Sequence, residues 1–116
     1  MQITSKRLED VRVVQPAGEL TAQTAGQAQE QVLQLAEPDA KMVLDMSQVT
    51  FMSSAGLRML LVLYRTIGGR GGKIVLVGLS EDLQNTMSLT GFLDLFHHYP
   101  TLEAGLAELA AGRKAM

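Results

Sequence analysis

Apolar and polar positions along the chain alternate in two periods, short β-rich runs and longer stretches at helical spacing. Val11 to Val14 reads as a strand, with a short partner over 2–8. Pro16-Ala17-Gly18 is expected to break it, and Thr21 or Thr24 to cap a helix. That helix is predicted over 25–35, where Ala25, Ala28, Val32, Leu33 and Leu35 recur near helical spacing, and Glu37-Pro38-Asp39 stops it. Met42 to Met46 reads as a buried strand, and 47–51 as extended or turning chain that leads into a helix over about 55–67. The glycines of 68–72 end that helix, and Ile74 to Val77 forms the clearest strand. Ser80 is placed to cap a helix over 81–88, which Thr90-Gly91 ends, and Phe92 to Phe96 adds core. Thr101 caps a last helix with Leu102, Leu106 and Leu109 on one stripe, and 111–116 is expected to fray. Strands alternating with helices at this spacing predict an α/β layer fold with a sheet that is at least partly parallel.

The second predicted helix is apolar on more than one side. With Leu57 taken as the core direction and about 100° per residue, Leu60, Leu61, Tyr64 and Ile67 point inward. Met59, Val62 and, at the margin, Leu63 then point outward, which makes them a candidate docking strip. Scattered exposed apolar residues are also ordinary on protein surfaces.

At 116 residues the chain has the length of one domain, and neither a repeat nor a linker divides it. It has no cysteine, so disulfides, thiolate metal sites and cysteine nucleophiles are excluded. A formal charge of −2 with scattered basic residues offers no attraction for nucleic acid. The N-terminus lacks the apolar region of a signal peptide, and the apolar run from Met59 to Tyr64 is far short of the roughly 20 residues a membrane helix needs. These features lead us to expect a cytoplasmic module that neither binds nucleic acid directly nor inserts into a membrane.

The candidate chemistry lies at Ser53-Ser54-Ala55-Gly56, where strand gives way to helix. Serine is among the best N-cap residues, and a cap is sufficient reason for one to stand there. A helix N-terminus also favours negative charge, so a phosphoserine fits the same place. Phosphorylation adds about −1.5 to −2 charges, enough to disrupt docking on that surface by repulsion and desolvation.

The run Val43-Leu44-Asp45-Met46-Ser47-Gln48-Val49-Thr50-Phe51-Met52-Ser53-Ser54-Ala55-Gly56-Leu57 resembles the signature of STAS domains, specifically the anti-sigma-factor antagonists. Gly18-Glu19-Leu20, Gly72 to Val77 and Leu89-Thr90-Gly91-Phe92 resemble further motifs of that family, in the same order. The resemblance implies one STAS domain over 1–116. Its fold would be a single layer of mixed, partly parallel, four- to five-stranded sheet covered by about four helices. It implies no enzyme activity and no cofactor or metal. It also implies partner switching, in which the antagonist binds an anti-sigma factor that is itself a serine kinase of the histidine-kinase-like ATPase fold. Phosphorylation would block that binding, and a serine phosphatase would reset it. Matching motifs places the acceptor at Ser54, with Ser53 the weaker candidate. The implied partner-binding residues are Thr21, Ser53, Ala55, Gly56, Leu57, Arg58, Met59 and Val62. The chain departs from the family pattern at Ser53 and Thr21, where acids are usual.

Other readings are weaker. A serine hydrolase elbow, Gly-x-Ser-x-Gly, matches at Gly56 but has Met52 in its first position, with Asp94, His97 and His98 as conceivable triad partners. Gly68 to Lys73 is glycine-rich but runs from helix to strand and ends in Lys73-Ile74, unlike a phosphate loop. Within the family, a non-phosphorylated adaptor or scaffold subunit of a lipid-transport or stress-signalling complex is the alternative.

Overall fold

The computed structural model describes residues 1–114, with side chains described through 110. The elements in chain order are β1 (Gln2–Leu8), β2 (Val11–Leu20), α1 (Ala25–Gln34), β3 (Lys41–Asp45), β4 (Gln48–Met52), α2 (Ser54–Gly69), β5 (Lys73–Val77), α3 (Glu81–Leu89), β6 (His98–Tyr99) and α4 (Leu102–Lys114), with a 3₁₀ turn at Leu93–Leu95 before β6. The strands form one mixed sheet in the order β1-β2-β3-β5-β6, antiparallel at β1–β2 and parallel elsewhere. β4 pairs with β2 as well, beyond the end of β3. The fold is thus the expected α/β layer. Its sixth strand, one more than the four or five expected, is the two-residue His98–Tyr99 segment, for which the sequence reading predicts no strand.

Cross-strand registers show how the sheet buries two faces. Val13, Val43 and Val75 are neighbours across three strands and face α4, where Leu109 completes an aliphatic cluster with Val11 and Val77. The next row, Val14, Leu44 and Leu76, faces the opposite way into the main core, under α1, α2 and α3. Both faces are covered, so these parallel strands read as continuous apolar runs rather than alternating ones.

Two boundaries differ from the sequence reading for physical reasons. β2 does not stop at Pro16 but continues to Leu20. Its first half pairs with β3 over Val11–Val14 and its second half with β4 over Ala17–Leu20, so the proline stands between the two ladders, where its missing N–H breaks neither. α2 runs through Gly68 and Gly69 before ending at Arg70, and Gly71, at φ +82°, then turns the chain. That left-handed turn lets the Gly72 N–H reach the Ile67 carbonyl at 2.9 Å. At the C-terminus, where fraying was expected over 111–116, α4 is helical through Lys114, and residues 115–116 lie outside the described residues. No helix among the described residues is long and apolar enough to cross a membrane.

Candidate functional site at the start of the second helix

The site is built from the bottom by the β3–β4 turn. One Asp45 carboxylate oxygen accepts the Ser47 N–H at 3.0 Å and the other accepts Gln15 Nε2 at 3.1 Å. This aspartate-centred turn satisfies its own backbone and redirects the chain from β3 to the free second half of β2. β4 then carries a bulge: Gly18 pairs with Val49 but Glu19 pairs with Phe51, so Thr50 is the extra residue. The bulge changes which side chains face the core. Val49 and Met52 are buried, while Phe51 is turned out and is 49% exposed. Strict alternation from Val49 would have put Phe51 inside.

The last rung of the sheet is the Ser53 N–H donating to the Leu20 carbonyl at 2.8 Å. Ser53 has extended backbone geometry and is the N-cap of α2, its hydroxyl accepting the Ala55 N–H at 3.2 Å. Its carbonyl accepts the Leu57 N–H at 3.1 Å and so starts the helical ladder. Ser54 is therefore the first helical residue. It is exposed, and its hydroxyl makes no hydrogen bond among the described residues. Gly56 sits where a side chain would collide. A Cβ there would lie 2.5 Å from Met52 Cγ and 3.2 Å from the Leu20 carbonyl oxygen.

Thr21 follows Leu20 directly, so the Leu20–Ser53 bond brings it beside the two serines. Its hydroxyl accepts the Gln23 N–H at 3.2 Å, and its own N–H donates to Thr24 Oγ1 at 2.9 Å. Thr24 is the N-cap residue of α1, but its hydroxyl ties back to the Glu19 carbonyl at 2.7 Å rather than capping the helix. The loop after β2 is thereby held against the start of α2.

The sequence-derived docking strip needs correction. Met59 is 2% exposed and Leu63 fully buried, so neither points outward. Leu57 marks one edge of the buried arc rather than its middle, because α2 packs against α1 as well as against the sheet. Leu61 and Tyr64, expected inside, are only half-buried. Of the candidate partner-binding residues, Gly56, Leu57 and Met59 face the interior and offer no side chain to a partner. Thr21, Ser53, Ala55, Arg58 and Val62 remain at the surface around Ser54, with Arg58 exposed one turn along the helix. Phe51, missed from sequence, supplies the apolar surface group that Met59 does not.

Catalytic alternatives find no geometric support. Asp94, His97 and His98 are separated from Ser54 by β3 and β5 in the strand order, and no hydrogen bond joins them to it among the described residues. The described residues contain no group of three or more histidines and carboxylates placed to hold a metal.

Comparison with known proteins agrees with this architecture. The STAS domain family model matches residues 2–105, and the chain belongs to that family. It is 27% identical over 106 residues to the anti-sigma-B factor antagonist of Bacillus subtilis, covering 91% of this chain and 97% of that one. It superposes on an anti-sigma factor antagonist from Mycobacterium paratuberculosis with a TM-score of 0.82 at 27% identity, covering 92% of each chain. It shares its fold with RsbS of Moorella thermoacetica, at a TM-score of 0.79 and 22% identity, over 98% of this chain and 99% of that one.

Proposed function

We propose that this chain is an anti-sigma-factor antagonist working by partner switching, with Ser54 as its switch. In this reading the unmodified protein binds a serine-kinase anti-sigma factor of the histidine-kinase-like ATPase fold through the surface around Ser54. Phosphorylation of Ser54 ends that interaction, and a serine phosphatase restores it. The observation that carries the reading is the division of labour between the two serines. Ser53 is committed to capping, whereas Ser54 is exposed with an uncommitted hydroxyl. The kinase would transfer a phosphoryl group from ATP to Ser54 Oγ, with the hydroxyl proton lost and ADP released. The dianion would sit at the positive end of α2, one turn from Arg58, which stabilises it, and three residues along the chain from the exposed Phe51, whose apolar contact with a partner it would disrupt.

The test is incubation with the histidine-kinase-like ATPases of the source organism and ATP, followed by intact-mass measurement. A gain of one phosphate that is lost in Ser54→Ala and retained in Ser53→Ala supports the switch. No gain with any of these kinases favours a non-phosphorylated adaptor, a reading to which the neutral Ser53 also lends weight.

A further inference from the structure

The edge of the sheet at β5 has a gap. Along this strand, even-numbered residues direct their backbone groups away from β3. The Leu76 N–H donates to the His97 carbonyl at 2.9 Å, and the Gly78 N–H to the Tyr99 carbonyl at 3.2 Å. Odd-numbered residues face β3, as the bonds of Lys73 N–H to Ala40 and of Met46 N–H to the Val77 carbonyl show. By this alternation the N–H and C=O of Ile74 point outward. β6 pairs only with Leu76 and Val77, and the Gly72 N–H is taken by the Ile67 carbonyl, so Ile74 is the residue left open between them. The residue is 6% exposed, yet its backbone donor and acceptor have no partner among the described residues.

Ile74 lines a cavity of about 290 Å³ on this side of β5. One wall is the end of α2 at Tyr64 and Gly68, the other is α4 at Glu108, and His97 closes one end. The cavity continues the line of β6 and gives a strand about 10 Å of room along Lys73 to Val75. A recessed edge with a helix over each face admits extended chain that carries no helix of its own.

We infer that this slot binds a short extended peptide from another protein, adding it to the sheet opposite Ile74, with an aliphatic residue against Tyr64 and an acidic residue beside Lys73. An extended main chain supplies the acceptor and donor that Ile74 lacks. The charge preference follows from the rim. Lys73 is exposed and makes no ion pair among the described residues. Glu108, on the α4 wall, carries a negative charge; burial and then that charge hold the Tyr99 phenol above its ordinary range, so the acidic residue belongs at the Lys73 end of the slot and away from α4. A second copy of the chain is a poor occupant. The open edge of β1 carries Lys6, which would meet Lys73 with like charge. This slot lies away from Ser54 and does not depend on the partner-switching reading.

The test is titration of the full chain with the blocked peptide acetyl-Asp-Val-Val-Val-amide, followed by amide NMR. Shifts are expected at Ile74, Val75 and His97. N-methylation of the central valine should weaken binding about tenfold by removing one main-chain hydrogen bond. Gly68→Leu should abolish it; a Cβ at Gly68 meets nothing within 4 Å, so the larger side chain fills the slot and not the core. Lys73→Glu should reverse the preference toward acetyl-Lys-Val-Val-Val-amide. Absence of shifts at the slot would overturn the proposal. Equal binding of the N-methylated peptide would do the same, as would shifts insensitive to Gly68→Leu. An Ile74 amide as protected from exchange as Val75 in the free protein would show that the donor is already paired. Concentration-dependent shifts of Ile74 without peptide would assign the slot to a second copy instead.

Discussion

The hydroxyl of Ser53 accepts the Ala55 N–H at 3.2 Å, which makes Ser53 the helix cap and leaves Ser54 free. The two serines should therefore respond differently to truncation. Ser53→Ala should cost about 1 kcal/mol of stability, the usual cost of losing an N-cap. Ser54→Ala should stay within about 0.5 kcal/mol of the parent, as an exposed residue does. Urea denaturation of both variants measures this, and equal losses would contradict the assigned cap.

Under the proposed partner switching, Phe51, three residues before Ser54 and turned to solvent, is the apolar side chain expected to anchor the partner. Phe51→Ser should leave the denaturation midpoint nearly unchanged and weaken binding of the cognate kinase about thirtyfold, the effect of losing one anchor side chain worth about 2 kcal/mol. Calorimetric titration measures it. Unchanged affinity would remove Phe51 from the docking surface.

Met59 should behave in the opposite way. At 2% exposure it is core, so Met59→Ala should destabilise the fold by about 2–5 kcal/mol. Any loss of partner binding by Met59→Asp would then follow unfolding, which circular dichroism at the binding temperature detects.

Gly56 separates helix propensity from packing. Alanine is the better helix former by about 1 kcal/mol, yet its methyl would press on the Leu20 carbonyl oxygen, 3.2 Å from the Cβ position, and on Met52. The backbone carbonyl belongs to the rung that accepts Ser53 and has little freedom to move. Gly56→Ala should therefore be net destabilising by about 1–3 kcal/mol in thermal or urea unfolding.

If Ser54 is phosphorylated, Arg58 stands one helical turn away on the exposed surface. Its positive charge favours the dianion and lowers the second phosphate ionisation, ordinarily about 6. Arg58→Ala should raise that ionisation by a few tenths, consistent with a helical pair of about 0.2–0.5 kcal/mol. Phosphorus NMR against pH measures it, and added salt should shrink the difference.

The order and type of the main elements follow from local pattern. Ile74 to Val77, the helix beginning at Ser80 and the α2 segment between a capping serine and a run of glycines were all legible, because periodicity and caps act within a few residues. The serine junction was legible for the same reason. Pro16 misled because the fact that decides its cost, a handover between two parallel ladders, lies in strands about thirty residues away. His98–Tyr99 was missed as a strand because two residues carry no period of their own and pair only where β5 is already in place.

Orientation is where local pattern ran out. A helical wheel ranks directions around α2, but its zero is set by what covers the helix. Met59 and Leu63 lie in the main core, on the arc of α2 that α1 and the sheet cover together. Alternation likewise sends Phe51 to the core, and the bulge at Thr50, a property of two strands in register, sends it to solvent. Local pattern alone placed a serine-led helix after extended chain in an α/β layer. Ser53 is held at the cap position because its N–H closes a rung on Leu20, and Phe51 turns to solvent because of the bulge against β2; both are tertiary contacts between segments distant in the chain.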